Sequence, residues 1–112
     1  MQKVFVTAAL LLAACAAHAA SPATAAKPAN GYQVSITMFK FQPVKLEVPV
    51  GTTVTWSNRD EEPHTVTSTD GQFKSSGALD TDDHYSAAFT KPGTYAYYCS
   101  IHPQMTATIV VR

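Results

Sequence analysis

Tyr95-Ala96-Tyr97-Tyr98-Cys99-Ser100-Ile101-His102-Pro103-Gln104-Met105-Thr106-Ala107-Thr108-Ile109-Val110-Val111 is the stretch from which this chain is best read. Tyr95 to Cys99 is rich in aromatic residues and Thr106 to Val111 in β-branched ones, so both read as strands, joined by the loop Ser100 to Met105. A thiol, an imidazole and a thioether recur at three-residue intervals across that loop, as Cys99, His102 and Met105. At this spacing a short loop can turn around an ion and present all three donors inward.

A fourth donor, His64, lies upstream in Glu62-Pro63-His64-Thr65. Two imidazoles, a thiolate and a weak thioether make up the donor set of a mononuclear electron-transfer copper site; sulfur suits Cu(I), and imidazole serves both oxidation states. Singly, each donor is weak. A histidine at a strand end is usually a solvated side chain, and a methionine near a strand start usually fills core. Together they are specific. Structural zinc prefers four Cys/His ligands and does not use methionine. Iron–sulfur clusters need more cysteines than this chain has, and the haem-attachment motif C-x-x-C-H is absent. A binuclear copper centre would need a second nearby cysteine.

The chain upstream of the hairpin continues the β pattern. Tyr32, Val34, Ile36 and Met38 alternate with polar residues, and Phe39 and Phe41 lead into Pro43. Leu46, Val48 and Val50 alternate before Gly51. Val54 and Trp56 share one face of Thr52 to Asn58, and His64-Thr65-Val66-Thr67 is another β-branched run. A loop from Asp70 to Asp83 carries Gly71, Gly77 and four acids, and Tyr85 to Phe89 alternates again. Lys91-Pro92-Gly93-Thr94 is a turn in which proline presets φ and glycine supplies a positive one. No segment has helical periodicity. Seven to eight short strands predict an all-β fold, a two-sheet Greek-key β-sandwich. Strand ends gather at the poles of such a sandwich, which would bring the start of the His64 strand to face the loop Ser100 to Met105.

The N-terminal region reads as an address. Met1-Gln2-Lys3 is a short positive segment, Val4 to Ala14 is apolar but too short to span a bilayer, and Ala17-His18-Ala19 offers the small residues of a cleavage site. Residues 1–19 are therefore expected to be a removed export signal, 20–31 a disordered Ala/Pro-rich linker and 32–112 the folded domain, in a bacterial periplasm. A competing reading takes Leu12-Ala13-Ala14-Cys15 as a lipobox, making Cys15 the lipidated first residue of a membrane-anchored lipoprotein. Either way Cys99 is the one cysteine of the folded part, a lone thiol that an oxidising compartment would attack unless copper held it. The eight Lys and Arg balance the eight Asp and Glu, and loss of Lys3 leaves one excess negative charge. Nucleic acid, which requires clustered basic charge, is excluded as a partner.

From about Ile36 to Val111 the chain resembles the cupredoxins, type 1 blue copper proteins of the plastocyanin/amicyanin kind. The resemblance rests on Met38 to Pro43, Val50 to Asn58, Pro63-His64-Thr65-Val66, Pro92-Gly93-Thr94-Tyr95 and Tyr98 to Met105. The two-residue gap between His102 and Met105 is the short ligand loop of the amicyanin type. The likeness implies that His64, Cys99 and His102 form a trigonal plane on one Cu(I)/Cu(II) ion, with Met105 as a long axial ligand. It departs from the family at two positions. Thr65 stands where an asparagine usually ties the first histidine's strand to the hydroxyl residue after the cysteine; Thr65 could reach Ser100, or donate its N–H toward the Cys99 sulfur. Gln104 stands where amicyanin has an aromatic residue, which would make the docking face less apolar.

The expected function is one-electron shuttling by a monomer between periplasmic redox proteins such as a dehydrogenase, a cytochrome or an oxidase. His102 is the candidate for the partly exposed ligand through which electrons pass, with Pro103 stiffening the turn. Asp60-Glu61-Glu62, with Asp80, Asp82 and Asp83, would favour a partner with a basic face. His84 beside two acids reads as a surface histidine rather than a second metal ligand. The alternative function is a copper chaperone or storage protein, which would favour open Met- or His-rich loops; only three methionines are present, one of them Met1. Enzymatic catalysis is not expected, because saturated ligation leaves the metal no open position.

Overall fold

The structure, a computed structural model, describes residues 31–112. The expected export signal, with Cys15, and the linker up to residue 30 lie outside the described residues. Eight strands follow: β1 (Tyr32–Thr37), β2 (Lys40–Gln42), β3 (Lys45–Val48), β4 (Thr52–Asn58), β5 (Thr67–Ser68), β6 (His84–Phe89), β7 (Gly93–Tyr98) and β8 (Thr106–Val111). Among the described residues there is no helix.

The strands form two four-stranded sheets, ordered β2-β1-β4-β6 and β3-β8-β7-β5. Both are mixed: β1 runs parallel to β4 and β3 parallel to β8, while the remaining pairs are antiparallel. Only β1–β2 and β7–β8 are hairpins within one sheet; every other connection changes sheet. Because β1 and β4 are parallel, Thr37 and Asn58 end at the same pole, and the β7–β8 loop closes over it.

Alternation explains the core. β1 buries Tyr32, Val34 and Ile36, β4 buries Val54 and Trp56, and their opposite numbers on β7 and β8 are Tyr95, Tyr97, Ala107, Ile109 and Val111. Trp56 is fully buried, edge-on to Tyr97 at 5.5 Å and stacked with Phe73 at 6.1 Å. Gly51 turns β3 into β4 at φ +87°, a conformation that costs a residue with a Cβ, and its N–H reaches the Phe89 carbonyl at 2.8 Å.

The run His64-Thr65-Val66-Thr67 is not the strand its β-branched residues suggest. His64 makes a single bridge with Leu79, and regular pairing with β7 covers only Thr67 and Ser68. The loop 70–83 folds back and takes the intervening groups: Val66 N–H donates to Ser76 Oγ at 2.8 Å, and Ser68 N–H to Ser75 Oγ at 3.0 Å. Serine hydroxyls stand in for a neighbouring strand.

Candidate metal centre

The β7–β8 connection is held as a closed loop by its own backbone. Cys99 N–H donates to the Met105 carbonyl at 3.0 Å, His102 N–H to the Cys99 carbonyl at 3.2 Å, and Met105 N–H to the His102 carbonyl at 2.9 Å. These three bonds brace the turn between Cys99 and Met105. Cys99 and Met105 are buried, while His102 is half-buried.

His64 arrives from the other side on a loop organised by Asn58. That side chain is fully buried; its amide donates to the carbonyls of Glu62 at 2.8 Å and Leu79 at 2.9 Å, and its oxygen accepts the Asp60 N–H at 2.9 Å. The result places His64 Nδ1 3.7 Å from Cys99 Sγ, and His102 Nδ1 is likewise 3.7 Å from that sulfur. The donor atoms of His64, Cys99 and His102 all lie within 4.8 Å of one another. The three residues that the sequence singled out therefore converge, and Met105 lies buried in the same loop. His84, by contrast, bonds Ser57 Oγ through Nδ1 at 2.8 Å and belongs to no such group among the described residues.

Thr65 performs both tasks open to it. Its N–H points to Cys99 Sγ at 3.3 Å, and its hydroxyl accepts the Ser100 N–H at 2.8 Å while bonding Ser100 Oγ and Thr67 Oγ1 at 2.9 Å. Burial pushes the Cys99 thiol up, but the Thr65 amide, the two imidazoles and the His102 amide outweigh it and bring it from 9.0 down to about 6. The sulfur is thus poised to be a thiolate, the form that binds metal.

Asp60 is the residue that sequence reasoning misplaced. Read as a docking acid, it instead turns inward and bonds His64 Nε2 at 2.8 Å through Oδ2. An imidazole that donates from Nε2 to a carboxylate keeps its lone pair on Nδ1, the face turned to Cys99. The i, i+4 spacing of Asp60 and His64 was the only available signal. The same carboxylate accepts the N–H groups of Met38 at 2.7 Å and Phe39 at 2.9 Å. Burial raises the Asp60 carboxyl, yet these two amides and the His64 ring more than offset that and hold it below its ordinary 3.8.

Met38 and Phe39 form the two-residue β1–β2 turn, at φ 54° and 57°. Both sit in the left-handed region that such hairpins require and that usually selects Asn or Gly. For two large side chains the cost is about 1 kcal/mol each. What it achieves is placement: the Phe39 ring stands edge-on to His64 at 5.3 Å and to His102 at 5.1 Å, at 87° to both. Met38, Phe39 and Ile101 are exposed around His102, so the pole is apolar despite Gln104.

Known proteins resemble this chain in sequence and in fold. The sequence profile of the cupredoxin-like domain matches residues 4–111. Amicyanin from Paracoccus denitrificans is 38% identical over 97 residues, covering 82% of this chain and 74% of its own. Amicyanin-alpha from Methylorubrum extorquens is 35% identical over 117 residues, covering 89% and 94%. Among solved structures, a Cu(I) form of an amicyanin variant superimposes with a TM-score of 0.71 at 34% identity, covering 74% of this chain and 83% of that one.

Proposed function

This chain belongs to the cupredoxin-like domain family, and from that membership we propose that His64, Cys99, His102 and Met105 are the ligands of its copper ion. The protein is a type 1 copper electron-transfer protein that binds one copper. The observation that carries the ligand assignment is the convergence of His64 Nδ1, Cys99 Sγ and His102 Nδ1, with both imidazoles 3.7 Å from the sulfur. The donor set fits the ion: a thiol lowered to about 6, two imidazoles and a buried thioether. When bound, copper supplies a one-electron couple between Cu(II) and Cu(I). The chain's own residues keep the donors in place. Asp60 orients His64, Thr65 ties Cys99 and Ser100 to the neighbouring segment, and three backbone bonds brace the ligand loop.

His102 is the ligand we assign to electron entry and exit, since His64 is fully buried and His102 is not. The apolar side chains around it suit a weak, rapidly dissociating contact with redox proteins, among which a dehydrogenase, a cytochrome or an oxidase would serve. Buried donors suit electron transfer better than copper delivery, which calls for open ones, and a saturated ligand set suits a carrier rather than an enzyme. The leader Met1 to Ala19 supports export to the periplasm, with the domain at 32–112 and a linker before it; a diacylglyceryl group on Cys15, visible by mass spectrometry of the mature N-terminus, would replace that reading with a lipid anchor.

The test is addition of Cu(II) to the purified protein. An intense visible thiolate-to-copper charge-transfer band is expected, and Cys99→Ser should remove it. A weak tetragonal spectrum in the unmodified protein would overturn the ligand assignment.

A further inference from the structure

We propose that Asp60 and Phe39 act as one positioning unit for the copper site, in which the Asp60 carboxylate latches the Met38–Phe39 turn so that the Phe39 ring covers both histidine ligands. The inference rests on the ligand assignment above. One carboxylate holds three donors: Met38 N–H on Oδ1, and Phe39 N–H together with His64 Nε2–H on Oδ2. It is largely buried, with 11% of its side chain exposed, and so sits between the upstream ligand and the turn rather than in solvent.

The turn needs such a latch. Met38 and Phe39 have positive φ and neither is a glycine, so their amides must be held for the conformation to persist. Held there, Phe39 stands edge-on to both imidazoles, which are themselves 5.0 Å apart, and would lie over a copper ion held by them. A shift of Asp60 would therefore move His64 directly and release the cover from His102 indirectly. Phe39 both restrains the half-buried histidine and denies small anions an approach to the metal.

Asp60→Asn tests the latch, because the new amide nitrogen would oppose donors wherever it replaces Oδ2. In the metal-free protein, hydrogen exchange at the Met38 and Phe39 amides should accelerate at least tenfold, while the amides of β7 and β8 keep their protection. In the Cu(II) protein, the charge-transfer band should shift and the EPR signal change symmetry. Phe39→Ala tests the cover: azide should perturb its Cu(II) spectrum at concentrations that leave the unmodified protein and Phe39→Tyr unchanged. If Asp60→Asn does not fold, the Phe39 variants decide alone. Unchanged exchange and spectrum in Asp60→Asn, or an azide-inert Phe39→Ala, overturns the inference. Failure of the ligand assignment is distinguishable, since the unmodified protein would then lack the charge-transfer band altogether.

Discussion

The backbone N–H of Thr65 points at the sulfur of Cys99 from 3.3 Å, while the hydroxyl of the same residue holds the Ser100 N–H at 2.8 Å. The threonine hydroxyl thus makes the tie to Ser100 for which an asparagine was expected, while the N–H to sulfur comes from backbone and does not depend on the side chain. Thr65→Val separates the two contacts. It should cost about 1 kcal/mol in urea unfolding of the metal-free protein, through the lost Ser100 partner. The charge-transfer band of the Cu(II) form should persist; loss of the band would mean that the hydroxyl, not the amide, controls the sulfur.

The Cys99 thiol carries a pH dependence of definite sign. Its folded value of about 6 lies below the ordinary 9.0, so between those values the unfolded chain binds more protons than the folded one. The associated stability is fully present above pH 9 and is lost as pH falls toward 6. Thiolate absorbance near 240 nm in the metal-free protein should therefore titrate with a midpoint near 6. The rise of the urea midpoint across that window should vanish in Cys99→Ser. A thiolate midpoint above 8 would show that the amide and imidazoles do not stabilise the anion.

The proposed ligands stood out in the sequence because their chemistry is local: Cys99, His102 and Met105 share one short loop, and residue type alone sets donor character. His64 required a fold to bring it there, and alternation along β1, β4, β7 and β8 supplied that fold. Asp60 could not be read, because its partners at Met38 and Phe39 are about twenty residues away and an acid beside Glu61 and Glu62 looks solvated. The segment from His64 to Thr67 misled for a related reason. Its β-branched residues favour extended backbone, but the partner for that backbone is a serine-bearing loop whose return path no periodicity encodes.

Trp56 joins the two sheets, packing on Tyr97 of β7 as well as on Phe73 and Phe89. Trp56→Ala should cost about 3–5 kcal/mol, much of the stability a domain this size has to spare. A loss below 1 kcal/mol in chemical denaturation would mean that the sandwich does not depend on this contact. Trp56→Phe, which keeps a ring, should retain most of the stability.

Gly51 and Gly77 separate conformation from space, since an added Cβ would meet nothing within 4 Å at either one. Only Gly51 lies at positive φ, +87°. Gly51→Ala should therefore destabilise by about 1 kcal/mol, whereas Gly77→Ala should be neutral or slightly stabilising by narrowing the unfolded ensemble. Equal effects from the two substitutions would remove the backbone explanation.

The structure narrows the acidic steering surface near the copper pole. Asp60 is turned inward to His64, and Asp82 is paired with Arg59 at 2.8 Å, which leaves Glu61 and Glu62 as exposed acids immediately before Pro63-His64. Long-range attraction acts on association rate and is screened by salt over about 8 Å at physiological ionic strength. With a soluble basic cytochrome as partner, the double substitution Glu61→Gln/Glu62→Gln should lower the bimolecular electron-transfer rate severalfold at low salt and converge with the parent protein at high salt. Because both glutamates are exposed and neither is among the proposed ligands, the visible spectrum should stay unchanged. An ionic-strength slope identical in parent and variant would assign these glutamates to ordinary solvation and leave docking to the apolar ring of Met38, Phe39 and Ile101.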